Sequence, residues 1–216
     1  MTHTIDVPTD AGPGRLVIDA PRTPDAVLLL GHGAGGGIDQ FNLRALAERL
    51  PERGIAVVRF EQPWLVAGRK VAGAPRTLDA GWRAALDATA RRWRGLPLVV
   101  GGRSAGARVA CRCAAEPAAG VIALAFPLHP PGKPEKSRRD ELAGVELPAL
   151  VIQGEKDPFG TARELSETVQ DNAGTRTLVE IPAAGHSLQP GRRSDPTGAA
   201  RTIVDAAAGF VASLHR

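Results

Sequence analysis

Six short apolar runs recur along this 216-residue chain, with helix-patterned segments between them. They are AVLLLGHG (Ala26 to Gly33), IAVVRF (Ile55 to Phe60), PLVVGG (Pro97 to Gly102), VIALAF (Val121 to Phe126), ALVIQG (Ala149 to Gly154) and TLVEIP (Thr177 to Pro182). They are mostly continuous rather than alternating, as strands buried on both faces must be. Leu43, Leu46, Ala47 and Leu50 fall at helical spacing, as do Leu78, Trp82, Leu86, Thr89 and Trp93, for which Thr77 is the expected N-cap. Thr161 and Glu164 have capping-box spacing ahead of Leu165 and Val169. Asp195 followed by Pro196 reads as a cap and first helical residue, with Ile203, Val204, Ala207, Phe210, Val211 and Leu214 as the core face. Strand alternating with helix implies right-handed crossovers, hence an α/β fold: a doubly wound, mostly parallel sheet with helices on both faces.

Two segments depart from that rhythm. TIDVPTDAGPGRLVID near the start reads as two short strands around a Gly/Pro turn, an antiparallel edge. PLHPPGKPEKSRRDELAGVELP (Pro127 to Pro148) is rich in proline and charge where a helix is expected, with a short helix anticipated around Arg138 to Leu142. Its length suits a small flap, not a cap domain. The expectation is one domain over residues 1–216.

Composition removes several classes of function. With 43% apolar and 23% charged residues the chain is globular rather than disordered. No apolar run is long enough for a membrane span, and the N-terminus has no charged start followed by an apolar core, so a cytoplasmic chain is expected. The net charge of +4 comes mostly from scattered arginines, including Arg91–Arg92, Arg138–Arg139 and Arg192–Arg193, without interleaved aromatics. That pattern argues for solvated surface and against a nucleic-acid interface, while favouring an anionic substrate or partner. Cys111 and Cys113, two apart on a helical segment, point to different sides and read as packing residues rather than a redox pair.

The chemistry centres on Gly102-Arg103-Ser104-Ala105-Gly106, a G-x-S-x-G pattern between an apolar run and a helix. Serine there has two readings. It is a preferred N-cap, and it is also the nucleophile of a strand-to-helix elbow whose glycines let neighbouring backbone approach. A serine nucleophile needs a base and an orienting acid. Of the five histidines, His186 in IPAAGHSL follows the last run in a glycine-flanked loop, whereas His3 and His215 lie at the termini. Asp157 follows the preceding run in GEKDPFG; Glu155 and Asp195 are weaker candidates, the latter explained as a helix cap. Ser104, Asp157 and His186 thus each follow a strand. The loop GHGAGGGID after the first parallel strand offers the Ala34 N–H to join that of Ala105 in an oxyanion hole. No G-x-x-x-x-G-K-[ST] occurs, so phosphate cradling is the weaker reading of that loop. Candidates to line a substrate site are His32, which also shapes the loop, with Trp64, Leu128, His129 and Phe159, each also explicable as packing. Arg103 suits either an anionic acyl group or a structural salt bridge.

GHGAGG, GGRSAGAR, FPLHPPGKP and GEKDPFG together resemble the α/β-hydrolase superfamily from about Ala26 to Leu214. FPLHPPGKP is similar to the branch containing testis-expressed protein 30, subunit 3 of the NSL histone-acetyltransferase complex and small bacterial hydrolases. The resemblance implies a serine hydrolase with Ser104, Asp157 and His186 as its triad, acting on small esters or thioesters. The chemistry requires no metal or organic cofactor. Two rival readings use the same residues: a binding or scaffold module that keeps the fold, and a small peptidase.

Overall fold

The computed structural model describes residues 2–170, 175–191 and 194–214; Arg192, Arg193 and His215 lie outside them. Eight strands form one sheet in the order β1-β2-β4-β3-β5-β6-β7-β8. β1 (Thr2–Val7) and β2 (Gly14–Asp19) pair antiparallel at one edge, and β2 runs antiparallel to β4 (Ile55–Glu61). From β4 onward, through β3 (Ala26–Gly31), β5 (Leu98–Arg103), β6 (Ala118–Leu124), β7 (Ala149–Gly154) and β8 (Arg176–Ile181), every pairing is parallel. This is the expected doubly wound architecture with its antiparallel edge.

The continuous apolar runs have a direct cause. Along β3, Val27 and Leu29 enter one core while Ala26, Leu28 and Leu30 enter the other. The same division holds in β7, with Val151 on one face and Leu150 and Ile152 on the opposite face. Helices roof both sides of these central strands, so neither set of their alternate residues meets water, whereas the edge strands β1 and β8 are partly exposed. α3 (Pro75–Arg92), α4 (Ala105–Arg112), α5 (Arg139–Ala143) and α6 (Ala162–Gln170) send Trp82, Val109, Leu142 and Leu165 into the first core. α1 (Phe41–Arg49) and α7 (Pro196–Ser213) cover the other with Leu43, Leu46, Ile203 and Val204. A single-turn α2 (Pro63–Val66) follows β4.

Helix starts follow local chemistry with one correction. Thr161 and Glu164 form the reciprocal box, Glu164 N–H donating to Thr161 Oγ1 at 3.2 Å and Thr161 N–H to Glu164 Oε2 at 2.7 Å. Asp195 Oδ1 accepts from Gly198 N–H at 2.8 Å. α3, however, starts at Pro75 with Ala74 as its N-cap, so Thr77 lies inside the first turn. Proline lacks an N–H and has helical φ already, which makes it the better opening residue.

The segment from Pro127 to Pro148 contains a 3-10 turn (Pro134–Lys136) and α5. It is fastened to α4, since Arg108 grips Glu141 through Nε–Oε2 and Nη2–Oε1 contacts of 2.7 and 2.6 Å. Arg112 reaches both Glu141 and Asp79 of α3. Burial pushes the Glu141 carboxyl up, but Arg108 and Arg112 together hold it below its ordinary value. Cys111 and Cys113 are free and buried, their thiols pushed up to about 12 and about 11 chiefly by burial. Among the described residues no helix is long and apolar enough to cross a membrane.

Candidate active site

Ser104 joins β5 to α4 at the middle of the sheet, with φ 54° and ψ −113°. That conformation is costly for a residue with a side chain, on the order of 1–3 kcal/mol. Two glycines make the turn possible. A Cβ on Gly102 would sit 2.6 Å from the Gly106 carbonyl carbon and 2.7 Å from Gly31 O; one on Gly106 would collide with Gly31 O itself. The start of α4 is therefore pressed against the end of β3 at a distance that only hydrogen side chains allow. The turn is anchored by Ser104 N–H donating to Leu124 O at 3.0 Å and Arg108 N–H to Ser104 O at 3.1 Å.

The Ser104 hydroxyl makes no capping bond to α4. It lies 2.8 Å from His186 Nε2 instead. His186 follows β8 in a loop pinned by the Ala184–Pro190 bridge, and Ala183, at φ 57°, donates its N–H to Glu155 Oε2 at 2.6 Å. Glu155 thus shapes the histidine loop. On the other ring nitrogen, His186 Nδ1 is 2.8 Å from Asp157 Oδ2 and 3.1 Å from Oδ1. A carboxylate at Nδ1 requires the proton there, which leaves Nε2 to accept from the serine.

Asp157 is 1% exposed and fully partnered. Besides His186, its oxygens accept from Gln153 Nε2 at 3.0 Å and Phe159 N–H at 2.9 Å. Gln153 was not among the residues singled out from sequence. Its signal is a glutamine at the end of the apolar run ALVIQG, where a buried amide needs polar partners. It also donates to Gly160 O, tying β7 to the loop that carries Asp157.

Ala34 and Ala105 line one small pocket, together with Gly33, His32, Trp64 and Trp82. Their N–H groups have no protein acceptor among the described residues, and that of Ala105 opens a helix. His32 is buried and spends both nitrogens on backbone: Nδ1 donates to Gly33 O at 2.8 Å and Nε2 accepts from Gln62 N–H at 3.1 Å. Burial holds its pKa below the ordinary value, against the opposing pull of Gly33 O. Trp64 packs against it, ring centroids 5.4 Å apart.

The remaining expected lining residues divide. Phe159 stacks on the His186 ring at 4.1 Å. Leu128 is buried against Gly160, while the His129 ring is taken up by Pro130 O at 2.9 Å and Glu164 at 3.2 Å. Among the described residues Arg103 forms no salt bridge; its Nη2 donates to the His186 carbonyl at 3.0 Å. Among the described residues, no group of three or more His, Cys, Asp or Glu is placed to hold a metal ion.

Known structures with this arrangement of strands are numerous. The chain superimposes on an alpha-beta serine hydrolase homologue from Coxiella burnetii with a TM-score of 0.77, at 18% identity, covering 95% of this chain and 97% of that one. An α/β serine hydrolase without lid from Xanthomonas campestris gives 0.74 at 21% identity, covering 99% and 93%. Est1E from Butyrivibrio proteoclasticus gives 0.75 at 15%, covering 97% and 99%. In sequence, two Mycobacterium tuberculosis proteins named, provisionally, as phosphoribosyl transferases are 30% identical over 197 residues, 85% of this chain. The match spans only 42% of their length. Residues 24–213 match the family model described as an alpha/beta hydrolase domain, and the chain belongs to that family.

Proposed function

We propose that this chain is a serine hydrolase that cleaves carboxylic esters or thioesters of modest size through an acyl-enzyme. The observation that carries this is the unbroken line from Ser104 Oγ through the His186 ring to Asp157, with 2.8 Å at both junctions. Ser104 attacks the carbonyl carbon while His186 takes its proton, and buried Asp157 stabilises the imidazolium. The N–H groups of Ala34 and Ala105 hold the developing oxyanion, aided by the α4 dipole. His186 then protonates the leaving group and activates water for deacylation. Phe159 keeps the imidazole in plane, while His32 and Trp64 wall the pocket beside the oxyanion donors. The site acts on a small-molecule substrate within a single domain, consistent with a cytoplasmic protein. FPLHPPGKP supports the narrower kinship with the testis-expressed protein 30 and NSL subunit 3 branch. The transferase name of the mycobacterial relatives belongs to proteins of which this chain spans less than half.

Incubation with a fluorophosphonate probe, followed by peptide mapping, tests the reading. Labelling at Ser104, abolished by Ser104→Ala and by His186→Ala, is expected. Folded protein that neither labels nor turns over short-chain activated esters would overturn it, and the fold would then serve binding alone.

A further inference from the structure

Arg103 immediately precedes the proposed nucleophile and is 9% exposed. Its guanidinium bridges two loops of the site. Nη2 donates to the His186 carbonyl at 3.0 Å, and Nη1 lies 2.7 Å from the point where a Cβ on Gly33 would stand. Ser104 Cβ is 3.4 Å from that same point. Cation, oxyanion loop and nucleophile therefore meet at one corner.

Other arginines packed into the protein find different partners: buried Arg176 donates to the Ala143, Val145 and Thr168 carbonyls, while three others meet carboxylates. Arg59 is paired with Asp19 and Asp39, and Arg108 and Arg112 with Glu141 and Asp79. Among the described residues no carboxylate contacts Arg103; its buried Nε has no acceptor, as is true of Arg59 Nε as well, but Arg59 has carboxylates at both other nitrogens. The charge of Asp157 reaches it and opposes the downward pull of burial, but the Asp157 oxygens are already engaged by His186, Gln153 and Phe159. A guanidinium withdrawn from water without an anion is costly, and its planar fork matches a carboxylate.

We propose that Arg103 receives the carboxylate of the substrate, so that the preferred substrates are esters or thioesters whose acyl part carries a carboxylate a few atoms from the scissile carbonyl. This rests on the hydrolase reading above. The reaction is unchanged: water adds to the acyl carbon, the alcohol or thiol leaves with a proton, and the product is a dicarboxylic acid. The overall positive charge of the chain draws such anions in. Because Arg103 also holds the His186 loop, its removal slows every substrate somewhat, and only carboxylate recognition separates charged from neutral ones.

The test compares 4-nitrophenyl monoesters of glutaric and adipic acid with counterparts whose free carboxyl is a carboxamide. The wild-type protein is expected to favour the acids by about tenfold or more in kcat/KM, as charge-assisted pairing implies. Arg103→Met is expected to bring that ratio close to one, and Arg103→Lys to retain part of it. Equal wild-type rates on acids and amides overturn the proposal while leaving the hydrolase reading intact, and that measurement needs no variant to fold. Arg103→Met lowering both series alike also overturns it, leaving Arg103 as a positioning residue. Should neither ester turn over although the probe labels Ser104, the same ratio is read from protection of Ser104 by adipate against adipamide, and equal protection overturns the proposal. Absence of labelling altogether removes both readings together.

Discussion

Two helices of this protein open on the same kind of sequence, a small polar residue before a helical stripe, and the two openings are physically opposite. At α7, Asp195 has φ −100° and accepts the Gly198 N–H, the ordinary resolution of an unsatisfied helix end. At α4, Ser104 has φ 54°, makes no capping bond, and turns its hydroxyl to His186. One junction lowers the energy of the fold. The other holds strain, retained because Gly102 and Gly106 let α4 press on β3 and because the histidine loop supplies the partner the helix does not.

The sharpest way to break that comparison is Ser104→Ala. Turnover of an activated ester is expected to fall about a millionfold, the scale of losing a triad serine, with the folded structure retained by circular dichroism. Asp157→Asn comes next. It keeps the shape but removes the charge that sets the Nδ1 proton, and single-turnover kinetics should slow by about ten-thousandfold. A stability measurement sharpens the contrast in backbone strain. Ser104→Gly, free to adopt the positive φ, should be about 1–3 kcal/mol more stable in urea than Ser104→Ala. Asp195→Ala inverts the pattern: about 1 kcal/mol of stability is lost with ester turnover unchanged.

The smallest effect concerns pH. His32 is held neutral, its folded pKa below the ordinary 6.5 because of burial. Below pH 6.5 the unfolded chain binds the proton that the folded chain resists, so stability is fully present above that pH and declines as pH falls toward the folded pKa. Protonation would also set an N–H at Nε2 against the Gln62 N–H. The urea midpoint of the wild-type protein should therefore drop more between pH 7 and pH 5 than that of His32→Gln.

The strands were legible because burial on both faces leaves no room for polar residues: the run ALVIQG coincides with β7, and AVLLLG with β3. The caps at Thr161 and Asp195 were legible because their partners lie three residues away. At α3 the same local logic points to Thr77, but Pro75, with no N–H to satisfy and its φ already helical, opens the helix instead. Gln153 escaped notice since its donors matter only once Asp157 and Gly160 have folded back over β7. His129 looked like a pocket residue in FPLHPPGKP, yet its ring is spent on Pro130 and on Glu164 of another element.

Sequence by itself determined the periodicities, the caps at Thr161 and Asp195 and the positions after strand ends where Ser104, Asp157 and His186 stand, because each depends on neighbours within a few residues. Only the tertiary structure decided that the serine forgoes its helix for a histidine 82 positions away. The same holds for the Arg103 guanidinium, which reaches the His186 carbonyl 83 positions away and, among the described residues, no carboxylate. Those outcomes depend on which loops meet above β5, and no local pattern carries a distance between segments so far apart in the chain.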